Sequence, residues 1–284
     1  MRVLAAIGLL AALLCAPLHR AAAADRWFTT SDGVRLHYIE QGHGHTIVFV
    51  PGWTMPAWIW QAQIAAFSRH YRVIAFDPRA QGESEAAREG YDPERRGQDI
   101  AELLAVLGPA PVLMVGWSLG VLDSLAYVHA HGDARLAGLV LVDNSVGEDP
   151  PPAPSRHHPD RHLRLASRAA RMRWFVRGMF ARPVSTAYVD RLTQSCLHTP
   201  EDAAEALLNY PVPRSFWKQA VYATARPVLY LVRPRLAGQA ENLRLHDPYA
   251  ESVVLRGVGH AMFVDDPVRF DTLVGDFIHR RIWP

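Results

Sequence analysis

The stretch PVLMVGWSLGVLDSL, residues 111–125, joins a run of apolar β-type residues to a helical pattern through two glycines. A strand that turns into a helix within two or three residues needs positions without a Cβ, because the chain approaches itself closely there. Gly116 and Gly120 supply these positions on either side of Ser118. We therefore expect the serine hydroxyl at the apex of a strained turn, at the positive end of the following helix. This place suits a nucleophile, although a serine that only caps the helix has the same pattern.

Seven short runs resemble strands, and several are apolar throughout rather than alternating. Strands that are buried on both faces of a parallel sheet have this pattern. The runs are RLHYIEQG (35–42), TIVFVPGW (46–53), YRVIAFDP (71–78), PVLMVGWS (111–118), LAGLVLVDN (136–144), PVLYLVRP (227–234) and SVVLRGVG (252–259). Helical patterns lie between them, for example at 99–107 and 264–282. The alternation predicts a doubly wound, mostly parallel α/β sheet.

The strand rhythm is interrupted between Asn144 and Pro227. A proline-rich segment, EDPPPAPSRHHPD at 148–160, is followed there by helical patterns with many aromatic residues. Ligands of such sheets bind beyond the carboxyl ends of the strands, so a helical insertion after a strand can cover the site as a lid. We therefore predict a core domain formed by 25–144 and 219–284, and a helical lid formed by 145–218.

Five arginines are clustered in the predicted lid, at positions 164, 168, 171, 173 and 177. A solvated face of an amphipathic lid helix explains them most simply. Weak contact with a membrane surface and a site for anionic substrates are the alternatives.

The first 24 residues have the pattern of an export signal. An early Arg2 precedes an apolar run, and Ala22-Ala23-Ala24 fits a cleavage site. An uncleaved membrane anchor is the alternative, although the run is short for one. We expect export to the periplasm or the medium after cleavage near Ala24. Of the two cysteines, only Cys196 would then remain, so an intrachain disulfide is not expected.

The composition excludes several classes of protein. With 284 residues and 49% hydrophobic residues, the chain is long enough for a large globular core. A net charge of +2 does not favour a nucleic-acid partner, and no nucleic-acid-binding motif is present. The histidines are scattered, so no metal site is expected. The sequence leaves the oligomeric state open and favours a small-molecule substrate as the partner.

A serine hydroxyl is a weak nucleophile at neutral pH, so it needs a base and a group that orients the base. The best candidate for the base is His260, in LRGVGHAMFVDDP (255–267), which lies between the last apolar strand and the last helix. That loop is expected at the same edge of the sheet as Ser118. Asp265 and Asp266 follow the histidine too closely to orient it, and we expect them to begin the last helix.

Four segments, in this order, resemble motifs of the α/β-hydrolase-fold superfamily, in its serine esterase and haloperoxidase-like branch. They are FVPGWT (49–54), FDPRAQGES (76–84), GWSLG (116–120) and GVGHAMFVDDP (257–267), and the similarity extends over nearly all of 27–282. The resemblance implies that Ser118 is the nucleophile and His260 the general base. It also implies an oxyanion hole from the backbone N–H groups of Trp53 and Leu119, and a helical cap after the sixth strand of that fold.

Two positions depart from the family pattern. Pro51 stands where family members usually have histidine, so the oxyanion loop must be supported differently. The usual place of the triad acid reads VRPRLAGQ (232–239), with no carboxylate before Glu241. Asp143, at the end of the strand LVLVDN, is the position that some relatives use, and we predict it as the acid. Glu241 and Glu148 remain as alternatives.

A serine nucleophile disfavours the activities of relatives that use aspartate, such as haloalkane dehalogenases and epoxide hydrolases. The resemblance implies acyl transfer without a cofactor, through attack of Ser118 on an ester and an acyl-enzyme. The many aromatic residues of the lid favour small to medium apolar acyl substrates. Hydrolysis of lactones, amides or carbon–carbon bonds, a haloperoxidase-like activity, and a catalytically weak protein that binds an apolar ligand remain as alternatives.

Overall fold

The computed structural model describes residues 22–152 and 166–284. Most of the predicted export signal and part of the proline-rich segment lie outside the described residues. The strands in the described ranges form one eight-stranded sheet in the order β1-β2-β4-β3-β5-β6-β7-β8. They are β1 (Ala24–Thr29), β2 (Arg35–Gln41), β3 (Thr46–Val50), β4 (Arg72–Asp77), β5 (Val112–Trp117), β6 (Leu136–Val142), β7 (Val228–Val232) and β8 (Ala250–Val254).

Strand β2 is antiparallel to β1 and β4, and all pairs from β4 to β8 are parallel. Helices connect the parallel strands. They are α1 (Gln61–Phe67), α2 (Pro93–Leu107), α3 (Leu119–His131), α4 (Arg168–Gly178), α5 (Thr186–His198), α6 (Glu201–Ala206), α7 (Arg214–Ala223), α8 (Ala237–His246), α9 (Met262–Asp265) and α10 (Pro267–Phe277). The predicted doubly wound, mostly parallel α/β sheet is confirmed.

The central strands are buried on both faces, which explains their continuous apolar runs. All five residues of β3 are buried. Ile47 and Phe49 pack in the core on one side of the sheet, and Val48 and Val50 pack in the core on the other. Each large side chain removed from water in this way contributes roughly 1.5–3 kcal/mol. Apolar burial on both faces of the sheet therefore offsets the conformational entropy that the strands lose on folding.

Strand β1 is an edge strand that the hydrophobic pattern did not predict, because most of its residues are exposed. It is joined to the sheet through His37 of β2, which is buried. The imidazole Nε2 lies 3.1 Å from Asp25 Oδ1, and Nδ1 lies 2.7 Å from Asp77 Oδ2. Burial lowers the pKa of His37, but the hydrogen bonds and charges of the two aspartates outweigh it, so the pKa is raised.

Two helices differ from their predicted bounds because of proline and capping residues. Helix α2 begins before residue 99, since Asp92 accepts a hydrogen bond from the Arg95 N–H and Pro93 suits the first turn. The predicted helix 264–282 is divided. Asp266 caps α10 through the Arg269 N–H, and Pro267 begins that helix.

Helices α4 to α7 follow β6 and precede β7 in the chain, and we call them the inserted helices. That they form a lid over the site stays a prediction. Helix α7 runs across the predicted boundary at 218 and on to Ala223. None of the helices in the described ranges is long and apolar enough to cross a lipid bilayer.

Candidate active site

Ser118 lies at a strained turn between β5 and α3. Its φ is 53° and its ψ is −117°, a conformation that residues other than glycine rarely adopt. A Cβ at Gly116 would lie 2.4 Å from the Gly120 carbonyl oxygen, and a Cβ at Gly120 would lie 2.3 Å from the Val50 carbonyl oxygen. The serine occupies the N-cap position of α3, but its side chain makes no capping hydrogen bond. The hydroxyl is therefore available for another partner.

His260 is that partner. Its Nε2 lies 2.8 Å from Ser118 Oγ, and its Nδ1 lies 2.6 Å from Asp143 Oδ2. The backbone of the histidine is also fixed, because the Trp117 indole N–H donates to the His260 carbonyl oxygen at 2.8 Å. Three side chains that are far apart in the sequence thus form one continuous series of hydrogen bonds.

Asp143 follows β6 and is held as firmly as the serine. Its φ is 51°, and its backbone N–H donates to the Leu231 carbonyl at 2.9 Å. The carboxylate is fully buried. Besides His260, it accepts hydrogen bonds from the Arg233 N–H at 3.0 Å and from Arg233 Nε at 2.5 Å. These contacts fix the position of the oxygen that meets the imidazole.

The two alternative acids have other partners and make no hydrogen bond to His260 within the described residues. Glu241 is exposed and pairs with Arg244 at 2.7 Å. Glu148 is buried and accepts hydrogen bonds from Lys218 Nζ at 2.8 Å and from the Tyr222 hydroxyl at 2.6 Å. Burial raises the pKa of Glu148, but these hydrogen bonds outweigh it and lower the pKa to about 2. The structure brings Asp143, and neither of the glutamates, to the imidazole.

Arg233 is a site residue that the sequence did not reveal. It follows β7, where the family pattern has an acid, and the sequence showed only that no carboxylate is present there. Its Nη2 lies 3.4 Å from His260 Nδ1. The guanidinium of Arg233 therefore contacts both Asp143 and His260. The Asp143 carboxylate thus faces two side chains, the arginine and the imidazole.

The predicted oxyanion donors are the backbone N–H groups of Trp53 and Leu119, which belong to two segments that adjoin Ser118. Leu119 is the residue after Ser118, and the loop of Trp53 approaches it so closely that a Cβ at Gly52 would lie 3.1 Å from Ser118 Cβ. Within the described residues, neither N–H group donates to another protein group. Both can therefore donate to a ligand oxygen.

The segment FDPRAQGES supports the oxyanion loop from below, in the absence of a histidine at Pro51. The Thr54 N–H donates to Gln81 Oε1 at 2.5 Å, and the Ala57 N–H donates to Asp77 Oδ1 at 2.5 Å. Both acceptors are buried. This is the different support that the departure at Pro51 required.

The histidine loop has a second anchor in Asp265. Its carboxylate accepts hydrogen bonds from the N–H groups of Gly259, at 2.5 Å, and Ala181, at 2.9 Å. Asp265 ends α9 rather than beginning the last helix, so only Asp266 has the predicted capping role.

The inserted helices border the site through Trp53. The Trp53 indole N–H donates to the Ala204 carbonyl of α6 at 2.7 Å, and its ring packs edge-on against Phe175 of α4. A cavity of about 340 Å³ lies here, and it is largely apolar. Its apolar lining consists of Trp53, Met172, Trp174, Phe175, Ala204 and Leu208.

The arginines of the predicted lid have mixed surroundings. Arg168 donates to the Thr199 carbonyl, and Arg171 pairs with Glu201 at 3.1 Å. Arg173 pairs with Asp190 at 2.8 Å, and Arg177 is exposed. Arg164 lies outside the described residues. Three of the four arginines that can be described thus bind acceptors within the protein.

Metal or thiol chemistry finds no support in the described ranges. They contain no group of three or more His, Cys, Asp or Glu side chains arranged to hold a metal ion. Cys196 is buried and unpaired by a disulfide, with its Sγ 3.8 Å from Met55 Sδ. Burial raises the pKa of this thiol to about 12, so it stays protonated.

Comparison with known proteins identifies the family. The model of the alpha/beta hydrolase family matches residues 47–272. The chain belongs to this family. The match spans the candidate nucleophile, acid and base together, and it confirms the resemblance that the four motifs carried.

Relatives of known name include several kinds of family member. The non-heme chloroperoxidase CPO-A1 of Kitasatospora aureofaciens is 37% identical over 115 residues, which are 40% of this chain and 42% of that protein. The soluble epoxide hydrolase of Corynebacterium sp. (strain C12) is 32% identical over 111 residues, 39% of this chain and 38% of that protein. The alignments thus span about two fifths of the length of these curated relatives.

Solved structures extend the similarity over the whole fold. The crystal structure of the esterase RhEst1 from Rhodococcus sp. ECU1013 matches with a TM-score of 0.77 and 26% identity. The match covers 90% of this chain and 99% of that one. The fold is therefore shared along almost the full length of the two chains.

Proposed function

We propose that this protein is a serine hydrolase that cleaves carboxylic esters with small to medium apolar acyl groups. The observation that carries the proposal is the series of hydrogen bonds from Ser118 Oγ to His260 Nε2, 2.8 Å, and from His260 Nδ1 to Asp143 Oδ2, 2.6 Å. A serine, an imidazole and a carboxylate in this order are the requirements for activating a hydroxyl.

The geometry supports a two-step mechanism. His260 Nε2 takes the proton of Ser118 as Oγ attacks the ester carbonyl carbon, and Asp143 holds the Nδ1–H form of the ring and stabilises the imidazolium. The N–H groups of Trp53 and Leu119 donate to the negative oxygen of the tetrahedral intermediate. His260 then gives the proton to the departing alcohol oxygen. Water, deprotonated by the same imidazole, then attacks the acyl carbon. The bond from that carbon to Oγ breaks, the acid leaves, and His260 returns the proton to Ser118 Oγ.

Two further observations support esters with an apolar acyl group. The largely apolar cavity beside Trp53 lies next to one of the two proposed oxyanion donors, where an acyl chain can be removed from water. The esterase RhEst1 shares the fold over 90% of this chain at 26% identity. Ser118 also favours acyl transfer over the activity that the name of the epoxide hydrolase relative indicates.

Hydrolysis of 4-nitrophenyl esters with acyl chains of two to twelve carbons tests the proposal. The protein used would be residues 25–284, beside its Ser118→Ala variant. We expect turnover that falls by about 10⁴-fold or more in the variant, with an optimum at a short or medium chain. Turnover that survives in Ser118→Ala would contradict the assigned nucleophile.

A chloroperoxidase-like activity is a second candidate, and the 37% identity to the chloroperoxidase CPO-A1 favours it. If hydrogen peroxide attacks the acyl-enzyme in place of water, the products are a peracid and free Ser118. Bromide-dependent halogenation by wild-type protein given an acid and hydrogen peroxide, and lost in Ser118→Ala, would demonstrate this activity.

A catalytically weak ligand-binding protein is the remaining alternative. The contact between Asp143 and His260 favours the enzyme, because a carboxylate is in place to orient the base. An alkyl phosphonate fluoride separates the two. An enzyme is expected to carry the phosphonyl adduct on Ser118, whereas a binding protein without an activated serine stays unlabelled.

We also propose that the chain is exported and cleaved near Ala24, on the pattern of its first 24 residues. The N-terminal sequence of the protein recovered from the periplasm or the medium tests this directly. A chain that still begins at Met1 would contradict it.

A further inference from the structure

A second, larger cavity lies on the His260 side of the candidate site. Its volume is about 740 Å³, and His260 forms part of its wall. Trp174 and Phe175 separate it from the apolar cavity, since they line both. The remaining wall includes Arg177, Arg233 and Arg235.

The charge of this cavity is of one sign. Its lining contains three arginines and no aspartate or glutamate among the described residues. Arg233 is already paired with Asp143 at 2.5 Å. The guanidinium groups of Arg177 and Arg235 make no side-chain hydrogen bond or ion pair within the described part of the chain.

The unpaired state of Arg177 is unusual for its helix. The other described arginines of α4 each have an acceptor within the protein: Arg168, Arg171 and Arg173. Arg177 stands in the last turn of this helix, and Arg235 stands in a short 3₁₀ helix, Pro234–Leu236, that follows β7. Two guanidinium groups from separate elements are thus directed to one space beside the imidazole.

We propose that this cavity binds a carboxylate group on the alcohol half of the ester, held by Arg177 and Arg235. A cleft lined by charges of one sign concentrates ligands of the opposite sign, and arginine forms paired hydrogen bonds with carboxylates. The proposal rests on the proposed ester hydrolysis, which it makes more specific. The natural substrate is then an ester of a small hydroxy acid with an apolar acyl group.

The position of His260 decides which half of the ester carries the charge. The imidazole gives its proton to the departing alcohol oxygen, so the alcohol lies on the side of the cavity that His260 lines. The acyl chain then occupies the largely apolar cavity beside Trp53. The two arginines of that cavity, Arg168 and Arg171, already bind Thr199 and Glu201, and Glu201 and Glu205 also line it, so a carboxylate is disfavoured there.

Binding to the Ser118→Ala protein tests the cavity without any dependence on turnover. The probes are 4-(butanoyloxy)phenylacetate and its primary amide, which have the same size and nearly the same leaving group. By titration calorimetry at low salt, we expect the acid to bind about ten-fold more tightly than the amide. The double substitution Arg177→Gln with Arg235→Gln should abolish this preference, and 0.5 M salt should weaken it.

Arg173→Gln is the matched control, because this arginine lies on the same helix but pairs with Asp190 outside the cavity. It should keep the preference for the acid. Equal binding of acid and amide by the Ser118→Ala protein, or a preference that survives the double substitution, would overturn the proposal.

Steady-state kinetics then separates this proposal from the proposed function. With Ser118 present, the double substitution should raise KM for the acid about ten-fold and remove the difference in KM between acid and amide, whereas Arg173→Gln should keep that difference. Ser118-dependent hydrolysis of the amide with no preference for the acid would overturn the carboxylate site alone. Preferential binding of the acid without Ser118-dependent hydrolysis of either ester would overturn the ester hydrolase and retain the site.

Discussion

Asp143 is the proposed acid of the site, and its contacts with His260 allow a test of that role. Asp143→Asn keeps the size of the side chain but removes the charge that holds the Nδ1–H form of His260. We expect kcat for 4-nitrophenyl butanoate to fall by about 10⁴-fold with little change in the far-ultraviolet circular dichroism. Glu241→Gln is the control, because Glu241 is exposed and pairs with Arg244. If Glu241→Gln lost more activity than Asp143→Asn, the assignment of the acid would be wrong.

Single residues differ in how well the sequence predicts them. The positions of Ser118 and His260 follow from local motifs, because the glycines beside Ser118 report on the backbone of the turn itself. The contact of Arg233 with Asp143 joins residues that are 90 positions apart, and no local pattern records it. The sequence shows that no carboxylate follows β7. That Arg233, at this place, contacts Asp143 is seen only in the folded chain.

Among the elements, helices α2 and α3 enclose a charged pair that carries no part of the proposed chemistry. Arg96 of α2 and Asp123 of α3 are both buried and lie 3.1 Å apart. Burial raises the pKa of Asp123 to about 6, and the charge of Arg96 offsets this only in part. The folded protein therefore binds a proton at Asp123 more tightly than the unfolded chain does.

The sign of this shift predicts how stability depends on pH. Since the pKa of Asp123 is higher in the folded state, the ionised form costs stability, and that cost is absent near pH 4 and complete above about pH 6. Asp123→Asn resembles the protonated acid at every pH. Relative to wild type, the variant should thus be less stable at pH 4.5 than it is at pH 7.5. Urea unfolding at both values measures this, with the exposed Asp190→Asn as a control that shows no such trend.

Element boundaries were predictable only where apolar spacing marks them. The stripe of α2 begins near Ile100, but the helix itself begins at Pro93 because a capping aspartate and a proline stabilise a polar first turn. Strand β1 was missed for a related reason. Its residues are mostly exposed and show no apolar alternation, and its place is set by backbone pairing with β2.

At the scale of the whole molecule, the family could be inferred although the candidate acid follows β6 rather than β7. The order of the four motifs predicts the sheet and places the ends of its parallel strands at one edge. An acid after either β6 or β7 lies at that same edge. The way the inserted helices join the core was not predictable, because it depends on Trp53 meeting Ala204, 151 residues away. Long-range packing, rather than local propensity, decides the shape of the site.

Glu148 connects three parts of the molecule and allows a prediction at this scale. It lies in the loop after β6 and accepts hydrogen bonds from Lys218 and Tyr222 of α7 and from Asn242 of α8. Glu148→Gln keeps the shape but loses the charge that these donors face. We expect the free energy of unfolding at pH 7 to fall by about 2 kcal/mol, because hydrogen bonds to a buried charge are lost.

The pH dependence of that loss distinguishes the charge from the shape of the side chain. The pKa of Glu148 is lowered to about 2 in the folded state, so its contribution is complete above the ordinary pKa of 4.5 and decreases as the pH falls toward 2. The difference between wild type and Glu148→Gln should therefore be constant from pH 5 to pH 8 and shrink below pH 4.5. Guanidinium unfolding across this range measures it. A difference that stayed constant down to pH 3 would show that packing, and not the ionised carboxylate, joins α7 and α8 to the core.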